Sequence, residues 1–118
     1  MKIMKLRKNR EFQNVYRNGT YLANKYLVVY KLNNAKGYNC FGITAGKKVG
    51  GSVVRNRVTR LIRQSIRNIH HLILPGYDIV VLARAGSGDA SLRQMENALF
   101  HLIKKHNLLI QTGGNIND

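Results

Sequence analysis

Apolar and polar positions alternate with a helical period in some segments and a strand period in others. The segment NREFQNVYRNG, residues 9–19, predicts a short helix with Asn9 as its N-cap and Glu11 in its first turn. TYLANKYLVVYKL, residues 20–32, is rich in Tyr, Leu and Val and predicts one long strand or two short ones. The next strand is predicted over 38–45. The first half of the chain is therefore a helix followed by strands.

The second half repeats this alternation with longer elements. A glycine pair precedes a long helix predicted over 52–73, and a buried strand follows over 77–84. The residues SLRQ have the form of a capping box, with Ser91 as N-cap and Gln94 reaching back, and start a helix that runs to about Lys105. The order α-β-β-β-α-β-α predicts a small α/β protein, an α+β two-layer sandwich in which a mixed sheet packs with three helices.

The length of 118 residues is that of about one domain, which we expect over 1–110, with a frayed tail over 111–118. No apolar run approaches the ~20 residues that cross a bilayer, and the first residues lack the apolar core of a signal peptide. The single cysteine, Cys40, cannot form an internal disulfide. These features favour a cytoplasmic protein that is not bound to a membrane.

Charge narrows the class of partner. The chain has 20 Lys and Arg residues against 5 Asp and Glu, which gives a net charge of +15 at pH 7. Such a charge repels itself unless a polyanion supplies the opposite sign. A nucleic acid is the first candidate for that polyanion. An anionic membrane surface is the second, and the absence of long apolar runs makes it the weaker one.

The helix over 52–73 divides into an apolar face and a cationic face at 3.6 residues per turn. The apolar positions are Val54, Val58, Leu61, Ile62, Ser65 and Ile69. The opposite positions are Asn56, Arg57, Arg60, Arg63, Gln64 and Arg67, with Arg55 at the flank. A solvated surface helix would intersperse acids, because like charges three or four residues apart destabilise a helix. There are no acids in this helix, which favours a face that binds RNA, although a DNA major-groove helix stays open.

Aromatic residues form a second candidate surface. Phe12 and Tyr16 lie on one side of the first helix, and Tyr26, Val28 and Tyr30 alternate onto one face of a strand. Such residues are most often core. Proteins that bind single-stranded RNA, however, stack bases on exposed aromatic rings beside basic grooves.

Catalytic and metal-binding groups are sparse. The five carboxylates, which are Glu11, Asp78, Asp89, Glu96 and Asp118, are spread over several elements. None forms a pair that could hold metals or share acid and base roles. The histidine pairs His70–His71 and His101–His106 have poor spacing for one metal ion, which makes a zinc site with Cys40 an unfavourable interpretation. We expect no catalytic residue and no protein-bound metal.

Three blocks of the sequence resemble successive blocks of the bacterial ribonuclease P protein component. They are LRKNREFQNVYRNGTYLANKYLVVY, GITAGKKVGGSVVRNRVTRLIRQSIR and GYDIVVLARAG, and the resemblance runs from about Leu6 to Leu109. The core RNRVTRLIR matches the family's Arg-Asn-Arg signature. The resemblance implies an α/β sandwich with a left-handed β-α-β crossover. It also implies a protein, monomeric when free, that binds a catalytic RNA subunit and the 5′ leader of precursor tRNA. In such an enzyme, the resemblance implies, the RNA performs the Mg²⁺-dependent hydrolysis.

The resemblance also assigns residues to two surfaces. The leader-binding positions it implies are Phe12, Tyr16, Tyr30, Lys47, Lys48, Arg55 and Arg84. The positions implied for the RNA subunit are Asn56, Arg57, Arg60, Arg63 and Arg67. The chain departs from the family at Thr59, where many members have Lys, and at Gly51, where Asn or Lys is common.

A ribosomal or ribosome-assembly protein of similar fold is the alternative. It would explain the charge and the arginine-rich helix equally well. It would not explain the aromatic pair, GKKVG and RNRVTRLIR in one chain. An autonomous nuclease is disfavoured because catalytic groups are lacking.

Overall fold

A computed structural model describes residues 3–111, which form one five-stranded sheet with three α-helices. The strands are Met4–Lys5 (β1), Thr20–Ala23 (β2), Leu27–Asn33 (β3), Cys40–Ala45 (β4) and Tyr77–Ala83 (β5). The helices are Asn9–Asn18 (α1), Ser52–Ile69 (α2) and Leu92–Lys105 (α3). The predicted α/β class, with a mixed sheet and three helices, is confirmed.

The sheet has the strand order β1-β4-β5-β3-β2. The pairs β1/β4 and β4/β5 are parallel, whereas β3 runs antiparallel to both β5 and β2. Because β4 and β5 are parallel neighbours joined through α2, their carboxyl ends meet at one end of the sheet. The left-handed crossover of this unit stays a prediction from the resemblance.

The two faces of the sheet are covered by different helices. Alternate residues of β3 and β5, such as Val29 and Val81, pack with α2 and α3 in the larger core. The intervening residues, such as Tyr30 and Val80, pack with α1 in a smaller cluster around Val15. The α1 face of the sheet is thus separate from the side on which α2 packs.

The elements differ from the predictions mainly at their ends. β1 precedes α1 and was not predicted, because two residues paired to Cys40 and Phe41 carry no periodic pattern. Lys8, rather than Asn9, is the N-cap of α1, since the Glu11 carboxylate accepts hydrogen bonds from the Arg7 and Lys8 amides. The segment over 20–32, predicted as one long strand or two short ones, forms two strands separated by a turn at 24–26.

The predicted helix over 52–73 is too long. Its α-helical part ends at Ile69, and a 3₁₀ turn over His70–Leu72 completes the segment. The tail expected to fray over 111–118 lies, except for its first residue, outside the described residues. No helix within 3–111 is long and apolar enough to cross a membrane.

A buried histidine fixes the end of α3 against the sheet. His106, the C-cap of α3, is buried, and its Nε2 lies 2.7 Å from the Val29 carbonyl oxygen. Because a carbonyl oxygen can only accept a hydrogen bond, Nε2 carries a proton and is the donor. Burial lowers the pKa of this imidazole. Lys31, which lies on β3 like Val29, donates a hydrogen bond from its ammonium group to the His106 carbonyl oxygen.

Candidate nucleic-acid interface

Aromatic side chains line the α1 face of the sheet. Phe12 lies against β4 so closely that a Cβ added to Gly42 would be 2.5 Å from its ring. One turn further along α1, the Tyr16 hydroxyl lies 3.2 Å from Oγ1 of Thr44, within hydrogen-bond distance. The Tyr16 ring meets Tyr30 of β3 edge-on, with centroids 5.0 Å apart. The structure therefore brings together the three aromatic residues that the resemblance assigned to the leader.

Tyr21 extends this group, although no pattern in the sequence predicts that it belongs there. It lies opposite Tyr30 in the β2/β3 ladder, with the ring centroids 5.2 Å apart. Only the register of the two strands, which the sequence pattern does not set, reveals the contact. We call Tyr16, Tyr30 and Tyr21 the tyrosine row.

Tyr26 does not belong to this surface. It lies in the turn before β3 and packs against the larger core, on the other side from Tyr30. The prediction that Tyr26 shares a face with Tyr30 is wrong, because β3 begins only at Leu27 and the strand period does not extend back through the turn.

Three basic side chains gather where β4 and β5 end. Lys47 and Lys48 lie in a 3₁₀ turn directly after β4, and Arg84 directly follows β5. The turn Lys47–Val49 packs against the turn Ala85–Asp89, so the two segments are neighbours. All three side chains are exposed, and the Arg84 guanidinium also donates to the Asn24 carbonyl at 2.7 Å. Phe12 lies beside Gly42 and Tyr16 beside Thr44, two residues nearer the carboxyl end of β4. The basic group lies just beyond that end.

Arg55 lies at the start of α2, beside this basic group. Its side chain is half-buried, and its Nε is buried without a hydrogen-bond partner among residues 3–111. The N-cap of the helix is Gly51, which has no side chain to bind the first amides, and the first turn holds no acid. The amino end of α2 therefore adds positive potential to that of Lys47 and Lys48.

The polar face of α2 is split between open solvent and a cleft. Asn56, Arg60 and Gln64 are exposed. Arg63 and Arg67 line a cleft of about 670 Å³ that separates α2 from β4 and α1. Phe12 borders the same cleft, so the arginine face and the aromatic residues share a boundary.

Arg57 has a different environment from the other arginines of α2. It is half-buried, and its two terminal nitrogens donate to the carbonyl oxygens of Gly88 and Ala90, each at 2.8 Å. These bonds fasten the turn after β5 to α2. The prediction that Arg57 binds the RNA subunit stays a prediction, but the structure also gives this residue an intramolecular role.

The hydrogen bonds of the acidic side chains do little to neutralise this charge. Glu11 accepts from two backbone amides, which lowers its pKa, and its partners are uncharged donors. The Asp78 carboxylate accepts a hydrogen bond from the side-chain amide of Asn34 at 2.9 Å, and the Glu96 carboxylate accepts one from the side-chain amide of Asn68 at 2.7 Å. The arginines of α2 thus keep their charge available for an external anion.

Metal ligands do not cluster in the described structure. Within residues 3–111, no group of three or more His, Cys, Asp or Glu side chains could hold a metal ion. The rings of His70 and His71 lie at right angles with centroids 6.4 Å apart. Cys40 is buried, and burial raises the pKa of its thiol, so the thiolate form is disfavoured.

The sequence is similar to those of known proteins along most of its length. The sequence model of the family described as Ribonuclease P matches residues 1–107. The ribonuclease P protein component of Alkaliphilus oremlandii is 45% identical over 107 residues, which cover 91% of this chain and 94% of that protein.

Solved structures give the same result. The RNase P protein of Staphylococcus aureus superposes with a TM-score of 0.83 at 34% identity, covering 92% of this chain and 100% of that chain. The RNase P protein of Thermotoga maritima superposes with a TM-score of 0.79 at 28% identity, covering 92% and 98% of the two chains. Sequence and fold agree, and this chain belongs to the ribonuclease P protein family.

Proposed function

We propose that this chain is the protein subunit of a ribonuclease P that binds both the catalytic RNA subunit and the 5′ leader of precursor tRNA. The observation that carries the proposal is the pairing of two surfaces in one small domain. One is the aromatic group on the α1 face of the sheet, and the other is the cationic face of α2. A cleft bordered by Phe12, Arg63 and Arg67 joins them.

The aromatic surface holds the single-stranded leader. Phe12, Tyr16 and Tyr30 offer ring faces and edges to unpaired bases, and stacking of this kind contributes about 1–3 kcal/mol per base. The phosphates of the same strand meet the cations at the ends of β4 and β5 and at the start of α2. Those cations are Lys47, Lys48, Arg55 and Arg84.

The exposed side of α2 binds the RNA subunit. Arg60 is free to make the two-pronged contact that a guanidinium forms with a phosphate, and Asn56 lies beside it as a neutral donor and acceptor. Arg63 and Arg67 approach the RNA from the cleft side. Arg57 contributes charge to the same surface and also secures the turn behind it.

The protein assists hydrolysis without performing it. Glu11, Asp78 and Glu96 are held by hydrogen bonds in three different parts of the molecule, too dispersed for two-metal or acid–base chemistry. The Mg²⁺ ions that the cleavage requires enter with the RNA subunit, whose phosphates bind them. The protein acts as a monomer when free and works in the cytoplasm.

A reconstitution at low Mg²⁺ tests this function. A bacterial ribonuclease P RNA would be incubated with precursor tRNA, with and without this protein, beside a reaction containing protein alone. We expect the protein to restore removal of the leader only when the RNA is present. Tight binding to ribosomal RNA without any restoration would instead support a ribosome-assembly protein. Cleavage by protein alone would contradict the proposal that the RNA performs the chemistry.

A further inference from the structure

Tyr21 is an exposed aromatic side chain at the end of the tyrosine row. It is 59% exposed, compared with 44% for Tyr38 and 36% for Phe100. Its ring contacts Tyr30 at 5.2 Å with the planes inclined at 52°. One side of the ring is therefore held in place and the other is open to solvent.

The topology explains why no helix covers Tyr21. β2 is the edge strand, and its neighbouring residue Leu22 packs into the larger core, so Tyr21 points to the α1 face. On that face α1 packs over β3 and β5. The floor beside Tyr21 is formed by half-buried residues such as Val28 and Leu82, which are paired neighbours on β3 and β5.

The surroundings of this ring favour a polyanion. The chain carries +15 charges, and Arg17 lies exposed in the last turn of α1, four residues before Tyr21. A protein that bound at this ring would need a negatively charged surface to offset the positive charge of the chain. Single-stranded RNA supplies both the opposite charge and a planar base for the ring.

We propose that Tyr21 provides a further stacking position, which adds one leader nucleotide to those bound at Phe12, Tyr16 and Tyr30. This inference rests on the proposed function, because it extends the same leader path to the edge of the sheet. Contacts of about 5 Å link Tyr16, Tyr30 and Tyr21, so the path is continuous across β3 and β2. The consequence is that affinity depends on leader length as far as the nucleotide that reaches Tyr21.

The test uses the protein assembled with a bacterial ribonuclease P RNA and a set of precursor tRNAs whose leaders are shortened one nucleotide at a time. Dissociation constants would be measured for the unchanged protein and for Tyr21→Ala, Tyr21→Phe and Tyr38→Ala. Tyr38 is the matched control, because it is also exposed, at 44%, but lies in the loop before β4. The exposed positions of Tyr21 and Tyr38 make both alanine variants compatible with folding.

We expect Tyr21→Ala to weaken binding of long leaders by roughly 5-fold or more, because stacking on one ring contributes about that factor. Leaders too short to reach the ring should bind equally well to both proteins. Tyr21→Phe should keep the affinity for long leaders, since the ring face remains. Tyr38→Ala should bind like the unchanged protein at every length.

Two results would overturn the inference. One is an equal loss at every leader length, including a tRNA without a leader. The other is no loss with Tyr21→Ala while a Phe12→Leu variant does weaken binding of long leaders. If neither Phe12→Leu nor Tyr21→Ala affects leader binding and the protein fails to restore cleavage, the proposed function itself fails, and this inference fails with it.

Discussion

Arg57 and Arg60 are three residues apart on α2, but their guanidinium groups have different surroundings. Arg57 donates to two backbone carbonyls of the turn after β5, whereas Arg60 is exposed. Because each side chain carries one positive charge, a count of charges does not distinguish the two residues. The difference matters because a donor already bonded inside the protein contributes to stability, while a free one contributes to binding an anion.

Replacing Arg57 by Ala should lower the free energy of unfolding by about 2 kcal/mol, since two charge-assisted hydrogen bonds are lost. Chemical denaturation measures this loss. The slope of log K against log[salt] for binding to the RNA subunit should fall less than in Arg60→Ala, because Arg57 adds charge to that surface but directs its donors to the two carbonyls. Arg60→Ala is the matched control and should do the reverse, reducing the slope of log K against log[salt] by about 0.7–0.9 at unchanged stability. A reduced slope with normal stability in Arg57→Ala would contradict this division.

Gly42 sets the position of the Phe12 ring. A methyl group at Gly42 would lie 2.5 and 2.7 Å from two atoms of that ring, so the ring must move. We expect Gly42→Ala to weaken leader binding by a few-fold with no change in charge, as measured with leader-bearing and leaderless tRNA. Gly46→Ala is the control, because nothing lies within 4 Å of its added Cβ. Normal leader binding by Gly42→Ala would show that Phe12 is not a contact.

At the scale of single elements, α2 shows that helical periodicity predicts the buried face of a helix but not the surroundings of its polar face. The apolar positions predicted from 3.6 residues per turn are buried or half-buried, and Val58, Ile62, Ser65 and Ile69 are fully buried. The opposite face is not uniform, because α1 and the β4 edge form a cleft on one flank and the turn after β5 lies on the other. A helical wheel contains no information about these neighbours, so it could not separate Arg57 from Arg63.

Thr59 lies on the cleft flank of α2, where the family often has Lys. Thr59→Lys should steepen the dependence of log K on log[salt] for binding to the RNA subunit by about 0.7–0.9, because one more phosphate is neutralised. Asn97→Lys adds the same charge on the exposed side of α3 and should change the slope much less. Equal slopes for both variants would place Thr59 outside the RNA contact.

For the strands, the sequence pattern predicts which segments are strands but not how the strands pair. The composition of β3, β4 and β5 predicted their existence, and β5 begins at the predicted residue and ends one residue early. Their order could not be predicted, because β1 pairs with β4 through only two residues and β2 contacts Tyr30 only in one register. Tyr21 was missed for this reason. The leader positions Phe12, Tyr16 and Tyr30 came from the resemblance to a family rather than from the pattern.

At the scale of the whole molecule, charge is the dominant feature. A net charge of +15 on 118 residues destabilises the compact state by self-repulsion. The carboxylates of Glu11, Asp78 and Glu96 accept hydrogen bonds from uncharged amides, so these bonds do not offset the positive charge. The core on the α2 and α3 face, by contrast, is a single cluster of buried apolar side chains. The folded protein is therefore stabilised by its core and opposed by its surface.

Sulfate should raise the midpoint of thermal unfolding, because an anion that binds the folded protein preferentially shifts the equilibrium toward it. Differential scanning calorimetry with sodium sulfate, compared with sodium chloride at the same ionic strength, separates anion binding from general screening. Identical midpoints in the two salts would mean that no anion site of consequence exists on the free protein.

The most direct test of the two-surface account is one set of affinity measurements on the assembled ribonucleoprotein. Tyr16→Leu keeps apolar bulk on α1 and should weaken binding of leader-bearing tRNA by about 5-fold, with no change for leaderless tRNA or for the RNA subunit. Arg60→Ala should weaken binding of the RNA subunit and, at saturating protein, leave the preference for a leader intact. If both variants reduce the same affinity, the two surfaces do not have separate partners and the account is wrong.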